Sequence, residues 1–314
     1  MTTPLVQKPV FEGVWPILVT PFDGQETLDL PALETIVRFM GTLGVEGITV
    51  LGVLGEVNRL TDSERERVVQ TAVRAAGALP VCVGTTHPGT AACRNQSLRA
   101  QDQGAAAVMI SPSQESAPNE ERILEFYTRA TQGLSIPVVV QDHPASSHTF
   151  MSTALLLRLA QEVPGVACIK EEQPPTPSKV AALLAGLQGR PATASITLLQ
   201  GLGALYGMFD LERGAHGFMT GFAFPELLQR LVRAFRSGRT EEAWALYTRF
   251  LPLIVFEQQP GLAVRKEIYR RRGLIGESTV RHPGGSLDAG TAGQLDALLT
   301  RILPGADLTR PLAL

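Results

Sequence analysis

Cysteine is scarce. Cys82, Cys93 and Cys168 are the only three in 314 residues, and an odd count without CxxC spacing argues against a disulfide framework or a structural zinc site. The expected setting is therefore reducing and cytoplasmic. An excess of charge of one sign is also missing. With 28 Lys and Arg against 30 Asp and Glu, the formal net charge is -2, which gives no electrostatic bias toward nucleic acid or an anionic membrane. Long apolar runs are lacking too. Pro9, Pro16 and Pro21 interrupt the segment where a leader would lie, and no later run approaches spanning length, so neither export nor membrane insertion is expected. Asn95-Gln96-Ser97 is then a glycosylation triplet without a secretory context. Metal-site spacings such as HxxxH or HExxH and the Gly-x-Ser-x-Gly of a serine hydrolase are absent. The partners left to consider are small molecules and further copies of the chain.

What is present is an alternation of short apolar runs with helical segments. The runs are Val14 to Thr20, Gly47 to Gly52, Pro80 to Gly84, Ala107 to Ser111, Pro137 to Asp142 and Val166 to Lys170. Two weaker ones lie near Thr197 to Gly201 and at Gly217 to Gly221. Apolar strands separated by helices read as parallel βα units, and eight of them predict a closed α/β barrel, the (β/α)8 or TIM barrel, rather than an open sheet. Helix starts carry their own signals. In Thr61-Asp62-Ser63-Glu64 the threonine can cap a backbone N–H while the glutamate reaches back, and Pro225 suits a first helical turn. Beyond Glu226 the strand signals stop, and helical periodicity over roughly 240–256, 259–272 and 287–303 predicts further helices. The expected division is a barrel over 1–225, its last helix running to about 238, and a C-terminal helical extension over 239–314.

In such a barrel, reactive groups sit at the C-terminal ends of strands and in the loops that follow. Lys170 ends the sixth run, and period-two alternation puts Glu172 on its face. A lysine among apolar side chains has its ammonium form disfavoured, which favours attack on a ketone, and a nearby carboxylate could shuttle protons. A solvated Lys-Glu-Glu turn is the alternative. After the second run, Gly52-Val53-Leu54-Gly55-Glu56 is a glycine-flanked turn whose Val53 and Leu54 amides could hold a carboxylate, or else a plain βα turn. It lacks the Lys-Ser or Lys-Thr of a phosphate loop and the spacing of a dinucleotide site. Gln141-Asp142-His143-Pro144 forms a polar cluster at the predicted mouth, suited to orienting a substrate or to solvating a loop.

Taken in order, several segments resemble the dihydrodipicolinate synthase and N-acetylneuraminate lyase family from about Val14 to about Pro283. They are Leu18-Val19-Thr20-Pro21-Phe22-Asp23, the Gly52 to Glu56 turn with Leu60-Thr61 and Glu64-Arg65, Gly104-Ala105-Ala106, Ile169-Lys170 and Gly214-Ala215-His216-Gly217. The resemblance implies a barrel with a helical appendage, assembled as a homotetramer or homodimer. It also implies no cofactor, because Lys170 aligns with the lysine that forms an imine with pyruvate. The chain departs from the family pattern at several points. Val53 and Leu54 replace a pair of hydroxylated residues, Gln141 stands where a tyrosine relay is usual, and Ser146 replaces an arginine. The tyrosine region after the fourth strand reads Ser111-Pro112-Ser113-Gln114.

These departures speak against dihydrodipicolinate synthesis. The sequence is more similar to the branch that dehydrates 2-keto-3-deoxy sugar acids, in particular the L-2-keto-3-deoxyarabonate dehydratases, which share a Gln-Asp-x-Pro strand end and a glutamate two residues after the lysine. Met219-Thr220-Gly221-Phe222-Ala223 resembles the same branch. What the resemblance implies is a class I lyase acting on a pyruvate-type 2-oxo acid, with Lys170 as nucleophile and Glu172 moving protons. Val53, Leu54, Gln141, Asp142, Ser113, Met219 and Thr220 are the expected substrate contacts. A pyruvate-dependent aldolase or synthase, and a non-catalytic 2-oxo acid binding or assembly protein, are the competing expectations.

Overall fold

All eight apolar runs become parallel strands in the computed structural model, which describes residues 9–112, 119–188, 196–259 and 261–312. The barrel half of the chain reads β1 (Gly13–Pro16), α1 (Leu30–Leu43), β2 (Ile48–Val50), α2 (Asp62–Ala76), β3 (Val81–Gly84), α3 (Thr90–Asp102), β4 (Ala107–Ile110) and α4 (Glu120–Ala130). It continues with β5 (Val138–Asp142), α5 (Pro144–Ser147), α6 (Thr153–Glu162), β6 (Val166–Glu171), α7 (Thr176–Leu187), β7 (Thr197–Gln200), α8 (Gly207–Glu212), β8 (Gly217–Thr220) and α9 (Pro225–Arg236). The strands pair in the order β1-β8-β7-β6-β5-β4-β3-β2. A bridge between Ile17 and Thr49, with Leu18 N donating to Thr49 O at 2.8 Å, closes β1 onto β2. The result is a nearly closed (β/α)8 barrel.

Alternation along the strands makes two cores. Trp15, Cys82, Ala107, Met109, Val139, Cys168, Leu199 and Met219 point inward and fill the barrel. Their neighbours, among them Val14, Val83, Val108, Val140, Ile169, Leu198 and Phe218, point outward and pack under the helices. All three cysteines are buried and free. The Thr61 capping box forms, with Thr61 N donating to Glu64 Oε2 at 2.9 Å and Glu64 N to Thr61 Oγ1 at 3.3 Å.

Past the barrel run α10 (Thr240–Phe256), α11 (Leu262–Arg271) and α12 (Ala289–Ile302), close to the three periodic segments of the sequence. Their apolar faces, including Phe250, Ile254, Val264, Ile268 and Leu295, join the same core as the barrel helices. Polar ties reinforce this packing. Buried Lys266 pairs with Glu56 at 2.5 Å, and Arg281 holds Glu64 through contacts of 2.7 and 2.8 Å. Hydrogen bonding by Arg281 draws the Glu64 carboxyl down to about 2. No helix of the described residues is long and apolar enough to cross a membrane.

Candidate active site at the mouth of the barrel

Strand register decides which polar groups meet. β5 and β6 pair with Gln141 opposite Lys170 and Asp142 opposite Glu171. Side chains alternate, so the first pair follows Val139 and Cys168 into the barrel while the second faces the helices. Glu172, just past the end of β6, returns to the inner side. Lys170 Nζ lies 2.8 Å from Glu172 Oε2, and both side chains are buried. Gln141 Nε2 donates to the same Oε2 at 2.8 Å, and Ser111 Oγ donates to Gln141 Oε1 at 3.0 Å. Leu202 N donates to Glu172 Oε1 at 3.2 Å. Burial alone would raise the Glu172 carboxyl, but Lys170 and then His143, with the Lys170 and Gln141 hydrogen bonds, outweigh it and hold the group below its ordinary value. Glu172 is thus an ionised base beside an amine, fixed from three sides.

Asp142, expected among the substrate contacts, does not reach the cavity. It is fully buried between β5 and the helix layer, ion-paired to Lys179 of α7. Lys179 also stands 3.6 Å from Glu171 and donates to Gln173 Oε1 at 2.6 Å and to Met151 O at 2.9 Å. Desolvation, then the nearby Asp142 charge, push the Glu171 carboxyl up to about 9. Desolvation also raises Asp142, with Lys179 pulling the other way. Two buried carboxyls therefore share one lysine, and Glu171 keeps its proton at neutral pH. Gln141 and Asp142 read as one polar cluster in the sequence, but a strand has two faces and splits them.

The turn after β2 folds over the barrel. Val53–Gly55 form a single 3-10 turn, whose bonds run from Gly55 N to Gly52 O and from Glu56 N to Val53 O. None of these uses the Val53 or Leu54 N–H, as expected at the start of such a turn. Thr20 Oγ1 donates to Gly55 O at 2.6 Å, which ties the turn to the end of β1. Glu56 leaves it in the left-handed region (φ 54°) and is buried against Arg59 and Lys266. The Gly-Glu landmark thus fastens the turn to α11.

A cavity of about 230 Å³ collects Val53, Leu54, Gln141, His143, Lys170, Glu172 and Thr220, with Leu202, Gly203, Gln258 and Arg265 along one side. A second, of about 430 Å³, shares Val53 and Gln141 with it and continues past Ser111, Thr86 and His87. Thr220 accepts a hydrogen bond from Gly203 N at 2.7 Å. Met219, also expected as a contact, is instead packed inside the barrel among Trp15, Cys168 and Leu199, because β8 turns its inward position below the mouth. Ser113 lies outside the described residues.

Leu202, Gln258 and Arg265 were not singled out in the sequence, and His143 appeared there only as part of the polar cluster at the end of the fifth strand. His143 carried a signal, since it follows a strand end, and its Nδ1 lies 2.7 Å from Ser146 Oγ. Burial lowers the imidazole below its ordinary value, opposed by Glu172. Gln258 and Arg265 sit about ninety residues after Lys170 and carried no local signal.

Comparison with known proteins gives a consistent result. The model of the dihydrodipicolinate synthetase family matches residues 10–302. The chain is 36% identical over 306 residues to an L-2-keto-3-deoxyarabonate dehydratase of Azospirillum brasilense, covering 94% of this chain and 96% of that protein. It is 29% identical over 236 residues to a 4-hydroxy-tetrahydrodipicolinate synthase of Chlorobium limicola, covering 74% and 77%. Among solved structures, a dihydrodipicolinate synthase from Rhodopseudomonas palustris superposes with a TM-score of 0.89 at 34% identity, covering 94% of this chain and 99% of that one.

Proposed function

The chain belongs to the dihydrodipicolinate synthetase family, and from that premise we propose that it is a Schiff-base lyase that removes water from a 2-keto-3-deoxy sugar acid. The observation that carries this reading is the buried pair of Lys170 and Glu172 at 2.8 Å, with Gln141 rather than a phenol bonded to it. A carboxylate within hydrogen-bond reach of a lysine can accept the proton that an ammonium must lose before its nitrogen attacks a ketone. The identity to the Azospirillum dehydratase supports the same substrate class.

In this scheme the substrate carboxylate rests on the Val53 and Leu54 amides. The Lys170 amine adds to carbon two, a water leaves, and a protonated imine forms. That cation acidifies carbon three, and Glu172 takes a proton from it to give the enamine. The enamine pushes out the hydroxyl on carbon four, which departs as water with the proton Glu172 had taken. A proton from carbon five and the proton of its hydroxyl then move to carbons three and four, converting the resulting 3-ene into a carbon-five aldehyde, and water hydrolyses the imine and frees Lys170. Glu172 is suited to both transfers because a general base must lie within hydrogen-bond reach and start ionised. Gln141 cannot move a proton and serves to hold Glu172. No cofactor is required, since the imine is the electron sink. Assembly as a homotetramer or homodimer belongs to the same proposal, and sedimentation would read it.

Borohydride trapping with product analysis tests the reading. Reduction in the presence of a 2-keto-3-deoxypentonate should leave an adduct on the peptide containing Lys170, and turnover should yield a dehydrated 2,5-dioxo acid. Pyruvate plus an aldehyde would make the enzyme an aldolase, and the absence of any adduct would remove the Schiff base altogether.

A further inference from the structure

One wall of the Lys170 cavity comes from outside the barrel. Gln258, Gly261 and Arg265, at the corner between α10 and α11, line it beside Leu202 and Gly203. Arg265 is 5% exposed, and its Nε donates to Glu257 Oε2 at 3.1 Å. Glu257 is fully buried and is itself anchored by Ala223 N at 3.3 Å. One edge of the guanidinium is thereby clamped. Among the described residues neither terminal nitrogen of Arg265 has an acceptor, although a guanidinium carries five donors in a fixed fork.

The loop after β7 is shaped to bring this group close. Gly203 has φ 66°, and a methyl at its Cα would lie 2.4 Å from Gln258 Nε2 and 3.5 Å from Arg265 Nη2. Glycine at this position leaves room for that approach and takes the left-handed backbone without strain. Thr220 takes the Gly203 N–H and Glu172 takes the Leu202 N–H. Glu172 and the Arg265 guanidinium therefore flank one short loop, on the β7 side of the cavity. Lys170 would hold carbon two of a substrate, and Val53 and Leu54, on the β2 side, its carboxylate. The remaining carbons and their hydroxyls then extend toward the loop and Arg265.

We propose that Arg265 is the specificity-determining residue for the far end of the substrate, its terminal nitrogens donating to the hydroxyl oxygens beyond carbon three, the departing one included. The assignment rests on the Schiff-base reading. It makes the helices after the barrel part of the substrate site, and it predicts selection of hydroxylated 2-oxo acids over pyruvate, which has no atoms there to bind.

The test compares Arg265→Gln and Arg265→Lys with the wild type, each checked for native fold by thermal unfolding. A double variant, Glu257→Gln with Arg265→Gln, leaves no unpaired charge should the single change fail to fold. Two readouts are needed: the rate of borohydride-trapped adduct on Lys170 with pyruvate, and kcat/KM for a 2-keto-3-deoxypentonate. Losing a charge-assisted hydrogen bond predicts a fall in kcat/KM of about 10- to 100-fold in Arg265→Gln, partly restored by lysine, while pyruvate trapping changes by less than about twofold. If pyruvate trapping falls equally, Arg265 holds the carboxylate and the proposal is wrong. If neither readout moves, it is also wrong. A wild type that traps no 2-oxo acid would instead sink the Schiff-base reading and this one with it.

Discussion

Replacing Glu172 with glutamine changes the side chain's size very little and its chemistry completely. In the native site Oε2 meets two donors, Lys170 Nζ and Gln141 Nε2, each at 2.8 Å, and Oε1 meets Leu202 N at 3.2 Å. The glutamine carbonyl can keep one side of this arrangement, but its NH2 must then face a donor, so the variant loses both the base and part of its positioning. A general base contributes about 10²- to 10⁴-fold, which is about 2.7 to 5.4 kcal/mol of barrier. Dehydration by Glu172→Gln should therefore fall by that factor in single-turnover measurements. Lys170 remains, so the borohydride adduct should still form. The pH profile gives an independent check. Because Glu172 is held below the ordinary carboxylate value, wild-type activity should persist on acidification and fall only as pH drops through that lowered value, and the variant should lack this limb. Turnover within about tenfold of wild type would refute Glu172 as the proton carrier. Loss of the adduct together with turnover would show that it only holds Lys170.

Further predictions follow from the same contacts. Gly201→Ala would place a methyl 1.9 Å from Glu172 Oε1, displacing the carboxylate without removing any functional group, and kcat should fall about 100-fold, as misplacements near 1 Å do. Gln141→Glu sets a second carboxylate against Glu172 and should move the acid limb of kcat/KM to higher pH by about one unit or more, visible as a larger loss at pH 6 than at pH 8. Glu171 keeps its proton up to about 9 but would ionise near its ordinary value when unfolded. The native state thus binds the extra proton between those values, and stability should decline as pH rises through that window, by up to about 1.4 kcal/mol per pH unit. Glu171→Gln should flatten that decline in denaturant titrations from pH 5 to 9. Lys179→Met leaves Asp142 and Glu171 without their cation and should cost about 3 to 5 kcal/mol of stability at neutral pH by the same titration.

Much of this molecule is a local property of its chain. Short β-branched runs such as Val138 to Val140 favour strands, Thr61 with Glu64 can begin a helix before anything packs on it, and period-two alternation is enough to bring Lys170 and Glu172 to one face. Those features need only neighbours within a few residues. The even-odd rule would also have separated Gln141 from Asp142, since both close the strand run Pro137 to Asp142; grouping them with His143 and Pro144 as one polar cluster passed over that alternation. Met219 was misplaced for a related reason, because facing inward does not say at what height in the barrel a side chain ends.

What the tertiary structure alone decided is the company each group keeps. Strand register set Gln141 beside Lys170, and chain reversal brought Lys179 under Asp142. The packing of α10 and α11 against the β7 loop carried Gln258 and Arg265 into a cavity whose lysine lies about ninety residues earlier. Pattern in a sequence reports the face a residue presents, since that follows from backbone geometry over a few positions. Which distant residue meets that face depends on how whole elements close on one another, and for this chain that closure determines what surrounds Lys170.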